Sequence, residues 1–169
     1  MNSQHERCFP LPFSWPDPPL EVALVHPKIP GNTGNIARTC AATGSSLHLV
    51  RPLAFDIDDA TVKRAGLDYW HSVHLSVHDD LAAFSSATKD RRAFYFSTAG
   101  EQSLYDVSFT PGDLLVFGSE TEGLPDAVLA DHPESVVQVP IRTEHVRSLN
   151  LANTVALCLF EALRQCNSR

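Results

Sequence analysis

From Glu21 onward, apolar positions fall into two alternating kinds of run. Short β-branched or wholly apolar blocks at Val22–Val25, Leu47–Val50, Ala93–Ser97, Leu114–Phe117 and Val136–Val139 predict strands, with a weaker one at Val73–Val77. Between them lie stretches of helical period. Asn32–Ala42 has Asn32 or Thr33 as cap, Ile36, Cys40 and Ala41 on one stripe, and Gly44 as a stop. Asp58–Ala65 is a short helix ending at Gly66, Asp79–Ala87 is another, and Pro125–Asp131 begins with proline in its first turn. The last helix, Leu149–Gln165, carries Leu151, Val155, Leu159 and Leu163 at steps of four, which makes one slowly drifting apolar stripe.

Strand and helix alternate to the end, so the expected class is α/β with a mostly parallel sheet flanked by helices. Ligands of such sheets bind beyond the carboxyl ends of the strands, which directs attention to the loops after Phe96, Phe117 and Val139. Residues 1–19 follow no period and hold five of the twelve prolines, in FPLPFSWPDPP. They read as a proline-rich arm ahead of one domain over residues 20–169.

Composition narrows the picture in four ways. No apolar run reaches the roughly 18 residues of a membrane span and the N-terminus lacks a secretory pattern, so a cytoplasmic protein is expected, with no membrane partner. Cys8, Cys40, Cys158 and Cys166 form no CxxC and read as reduced thiols, Cys40 and Cys158 as core filler. The net charge of −7 excludes a surface coated in basic residues, so contact with nucleic acid would need a local cationic cluster. His71, His74 and His78 lie close together without a cysteine or a second motif, and no metal site is expected.

Three loops have unusual content. Gly118-Ser-Glu-Thr-Glu-Gly-Leu-Pro125 follows the apolar block LLVF, its glycines permitting close backbone approach to a ligand. Val139-Pro140-Ile141 runs into RTEHVRS and then Ser148-Leu149-Asn150, where Ser148 or Asn150 can cap the final helix. In PGNTGNIAR, Asn35 and Arg38 stand three apart and share a helix face. Alone, each is also what an ordinary connection or a solvated helix face looks like. No GxxxxGK[ST] or GxGxxG occurs, so nothing supports a P-loop or a dinucleotide fingerprint.

In order and spacing, IPGNTGNIARTCAATG, RPLAFDIDDATVKRAGLDYW, VFGSETEGLP and RSLNLANTVALCLFEALRQ together resemble the SPOUT superfamily of RNA methyltransferases. The likeness spans about residues 21–165 and is closest to the small TrmL-type family, which methylates the 2′-hydroxyl of cytidine or uridine 34 of tRNA. It implies a C-terminal trefoil knot, S-adenosylmethionine as donor with S-adenosylhomocysteine as product, and a homodimer acting on the anticodon stem-loop, leucine tRNAs foremost. It places Phe96, Thr98, Gly100, Gly118, Glu120, Gly123, Val139, Pro140, Ser148, Leu149 and Asn150 around the donor. It makes Arg38 the essential arginine, supported by Asn35. A guanidinium stays protonated, so Arg38 suits clamping a phosphate and stabilising developing negative charge, and the proton acceptor stays open. RNA contacts would come from Arg38, Lys63, Arg64, Arg142 and Arg147. Two departures bear on substrate choice: Phe160 stands where relatives often carry tyrosine, and RTEHVRS is one residue longer than the pattern. A methyltransferase for another tRNA or rRNA site, or a non-catalytic RNA-binding relative, is the alternative reading.

Overall fold

Seven strands form one sheet in the order β3-β2-β1-β6-β4-β7-β5, every neighbouring pair parallel. The computed structural model describes residues 11–57 and 70–167. The strands are β1 (Glu21–Val25), β2 (Ser46–Val50), β3 (Leu75–His78), β4 (Ala93–Phe96), β5 (Gln102–Ser103), β6 (Leu114–Phe117) and β7 (Val136–Gln138). The described helices are α1 (Pro30–Thr43), α2 (Leu81–Thr88), α3 (Asp126–Asp131) and α4 (Leu151–Asn167), with single 3-10 turns at Trp70–Ser72, Leu104–Asp106 and Pro133–Ser135. The helix expected over Asp58–Ala65 lies outside the described residues.

The apolar runs VALV and LLVF are continuous because both faces of the sheet are covered. Val22, Leu24, Leu115 and Phe117 point to one core with Ile36 and Cys40 of α1 and Val155, Cys158, Leu159 and Leu163 of α4. Their neighbours Ala23, Val25, Leu114 and Val116 point to a second core with Phe84 of α2 and Leu124. Burial raises the Cys40 thiol to about 12 and pushes Cys158 up as well, so both stay protonated and inert. Phe13 of the N-terminal segment packs on the first core, and the Ser14 N–H donates to Asn167 Oδ1 at 2.8 Å.

Helix boundaries differ from the pattern at informative places. Helix α1 starts two residues earlier than expected, with Ile29 as N-cap and Pro30 at its first position, so neither Asn32 nor Thr33 is the cap. Pro30 fits there because the first turn needs no intrahelical N–H from it. Gly44 ends α1 in the left-handed conformation, as expected. Helix α2 is capped by Asp80, whose Oδ1 accepts from Ala83 N–H at 2.7 Å, so it begins after Asp79. Of the two capping candidates for α4, Asn150 takes the role: its Oδ1 accepts from Ala152 N–H at 2.9 Å and Asn153 N–H at 3.3 Å. The helix therefore starts at Leu151 rather than Leu149 and runs to Asn167. Strand β5 and the three 3-10 turns carry no pattern in the sequence.

Candidate active site

Beyond Phe117 the chain closes at once into a tight loop. Ser119 and Gly123 exchange backbone hydrogen bonds of 3.1 and 3.0 Å, and Ser119 Oγ accepts from Glu122 N–H at 3.2 Å. The closure is so near that a Cβ on Gly118 would run into the Gly123 carbonyl carbon and the Leu124 nitrogen. Gly123 itself has φ +70°, which a side chain would strain.

Glu120 leaves this loop toward the start of α1. Its carboxylate accepts from Lys28 N–H at 2.8 Å, Ile29 N–H at 3.2 Å and Asn32 Nδ2 at 3.1 Å. A carboxylate thus takes up backbone N–H groups just ahead of the helix, where the helix dipole favours negative charge. Buried Asn32 passes the connection on, its Oδ1 accepting from Asn150 Nδ2 at 3.0 Å. Through Asn150 the line reaches the first turn of α4. One polar chain therefore ties the loop after β6, the N-terminus of α1 and the N-terminus of α4.

These loops enclose a cavity of about 370 Å³, within the range of small-molecule sites. It is lined by residues after β4 (Phe96, Ser97, Thr98, Ala99), the whole loop Gly118–Leu124, and Val139, Ile141, Arg147, Ser148 and Leu149 after β7. Leu151 and Thr154 of α4 and Asp126 and Leu129 of α3 complete it. Phe96 and Phe117, both in the lining, stack with ring centroids 4.6 Å apart and planes 8° from parallel. The lining is amphipathic: apolar surface from Phe96, Val139, Ile141 and Leu149, then Glu120, Glu122 and Asp126 against Arg147. Such a lining suits an elongated ligand with a flat ring and a cationic centre.

Of the residues implied as donor contacts, Phe96, Thr98, Gly118, Glu120, Gly123, Val139, Ser148 and Leu149 line this cavity, whereas Gly100, Pro140 and Asn150 do not. Gly100 has a different reason to be glycine: a Cβ would sit 2.8 Å from the Val137 carbonyl carbon of β7. Pro140 is exposed, and Asn150 spends its side chain on Asn32 and the α4 cap. Asn35 and Arg38 are both exposed on one face of α1 and are not part of the lining. Arg142 is exposed too, Arg147 reaches the cavity, and Lys63 and Arg64 lie outside the described residues. In the sequence Asn32 reads only as a cap. The usable signal is that two polar residues, Asn32 and Thr33, stand together where one cap would suffice.

Among the described residues no three His, Cys, Asp or Glu side chains are placed to hold a metal. His78 stacks on His48 instead, its Nε2 3.0 Å from His48 Nδ1. No described helix is long and apolar enough to cross a membrane.

A parallel sheet with helices on both faces, and one cavity built from three strand-end loops and the head of the last helix, fit the fold that the resemblance to SPOUT methyltransferases implies. The comparisons agree. A solved structure described as "Structural insights into the 2-OH methylation of C/U34 on tRNA" superposes with a TM-score of 0.83 at 48% identity, covering 89% of this chain and 97% of that one. AviRb from Streptomyces viridochromogenes, solved with the cofactor AdoMet, gives 0.75 at 26% identity over 92% of this chain and 62% of that one. The tRNA (cytidine(34)-2′-O)-methyltransferase of Burkholderia ambifaria is 52% identical over 149 residues, 86% of this chain and 95% of that protein. The family model described as "SpoU rRNA Methylase family" matches residues 19–160. The chain belongs to the SpoU methylase family, whose methyl donor is S-adenosylmethionine.

Proposed function

We propose that this protein transfers the methyl group of S-adenosylmethionine to the 2′-hydroxyl of nucleotide 34 of a tRNA, cytidine first and leucine tRNAs foremost. The observation that carries the reading is the convergence of the loops after β4, β6 and β7 on one cavity tied, through Glu120 and Asn32, to the helix that bears Arg38. The 52% identity to a relative named for cytidine 34 supports this nucleotide over a ribosomal target.

When bound, S-adenosylmethionine supplies a methyl already activated by its sulfonium charge, so the protein's task is mainly alignment. Phe96, Val139 and Leu149 offer apolar surface to its adenine, Thr98 and Ser148 offer polar contacts, and the acidic lining complements its charge. Arg38 clamps a phosphate next to the target ribose and stabilises negative charge growing on the attacking oxygen. Asn35, on the same face, holds the sugar or the guanidinium. Arg142 and Arg147 add RNA contacts, and an anticodon loop presents unstacked nucleotides whose sugars a protein can reach. The active species is a homodimer that packs through the exposed face of α4.

The test is mass spectrometry of nucleosides from tRNA incubated with protein and donor, mapped by position. Cytidine 34 is expected to become 2′-O-methylcytidine with the wild type. Arg38→Ala is expected to lose at least a hundredfold in rate while binding the donor normally. Methylation confined to ribosomal RNA would overturn the substrate, and an unaltered Arg38→Ala rate would overturn the role of Arg38.

A further inference from the structure

The chain bends sharply where β1 ends. His26 adopts φ +53°, left-handed backbone that a residue with a bulky side chain rarely takes, while its N–H stays bonded to the Val50 carbonyl at 3.0 Å. Held backbone strain of this kind concentrates at sites where a side chain must point one way. Two residues later Lys28 reaches over the cavity loop, its Nζ 2.5 Å from Glu122 Oε1. Hydrogen bonding and charge from Lys28, with a further contribution from the His26 charge, hold the Glu122 carboxyl below its usual range. The β1–α1 turn therefore carries an ammonium group held on one carboxylate of the loop that lines the cavity.

Glu122 is well exposed, 74% at its side chain, and the loop it belongs to is already pinned by Glu120. The fold therefore does not need the Lys28–Glu122 pair, and exposed pairs of this kind contribute little to stability. A phosphate oxygen is a stronger partner for an ammonium group than a solvated carboxylate, and it would displace Glu122 without disturbing the Glu120 anchor.

We infer that Lys28 forms a backbone-phosphate contact for the RNA substrate, which Glu122 occupies until RNA arrives. The inference rests on the reading of the protein as an RNA methyltransferase and names a contact within it. Lys28 precedes the helix that carries Arg38, so the RNA backbone would run from the Arg38 face across the mouth of the cavity. Glu122 acts as a gatekeeper: it weakens every RNA equally, and disfavours anions that cannot offer enough contacts elsewhere.

The experiment measures tRNA affinity by fluorescence anisotropy at several salt concentrations for wild type, Lys28→Ala and Glu122→Gln, with donor affinity and melting temperature in parallel. Lys28→Ala is expected to bind tRNA about tenfold more weakly and to lower the salt slope by about one. Glu122→Gln is expected to tighten binding severalfold, and donor affinity is expected to stay unchanged in Lys28→Ala. Wild-type affinity and slope in Lys28→Ala would overturn the inference. So would weakened tRNA binding in Glu122→Gln, since that marks the pair as a brace for the loop. A wild-type protein that binds no tRNA would instead overturn the RNA-methylation reading itself.

Discussion

Glu120 shows how much one side chain can organise. Its carboxylate accepts three hydrogen bonds from the start of α1, two of them from backbone N–H groups. Glu120→Ala strands those donors, and a loss of about 2 kcal/mol in stability is expected by chemical denaturation, together with weaker donor binding. Glu120→Gln keeps one acceptor oxygen, enough for Ile29 N–H and Asn32 Nδ2, but sets its NH2 against Lys28 N–H, so a smaller loss is expected. Thr33 makes the opposite case. Its Oγ1 is the buried side-chain polar atom without a hydrogen-bond partner among the described residues. Thr33→Val removes a desolvated hydroxyl at nearly constant shape, so a gain of about 1 kcal/mol is expected, and a loss would mean that Oγ1 has a partner in solution. Neither role could be read from the sequence. The bonds from Asn32 to Glu120 and to Asn150 span 88 and 118 residues, and no local pattern encodes such a meeting.

At the scale of elements, the inner strands were legible because burial on both faces writes them as unbroken apolar runs. Strand β5 was not, being two residues long, and α1 starts ahead of the expected cap because Pro30 fits its first position. The sheet edge holds a feature that no motif announced. On β1, β2 and β3, Glu21, His48 and His78 form a line, with Glu21 Oε2 2.9 Å from His48 Nε2 and Glu21 Oε1 paired to Arg91 at 2.7 Å. The two imidazoles cannot both be doubly protonated, because the nitrogens facing each other would then both be donors. Burial, aided by charge on His48, lowers the His78 pKa from its ordinary 6.5. The unfolded chain therefore takes up that proton first, and stability present above pH 6.5 declines as pH falls through that value. Glu21, lowered from 4.5 by its His48 hydrogen bond and by Arg91, contributes stability that is lost only in more acidic solution. Urea midpoints between pH 5 and 7.5 should fall with acidity in the wild type and flatten in His78→Gln. Equal slopes would remove the pair from the account.

For the whole molecule, the exposed face of α4 is where the proposed dimer can be tested. Asn153, Leu157, Phe160 and Arg164 recur at alternating steps of four and three, and Phe160 is 56% exposed. That spacing lets one helix pack along another, so Phe160→Asp is expected to shift a dimer to monomer in analytical ultracentrifugation, and an unchanged sedimentation coefficient would place the interface elsewhere. The arrangement of loops around one cavity is the claim on which the chemistry depends, and Gly118 isolates it, since any side chain there collides with the backbone of Gly123 and Leu124. The most direct measurement is isothermal titration of S-adenosylmethionine into wild type, Gly118→Ala and Arg38→Ala. One donor per chain is expected for wild type and Arg38→Ala, with binding lost or weakened more than tenfold in a folded Gly118→Ala. Equal binding by wild type and Gly118→Ala, or no heat from the wild type, would contradict it.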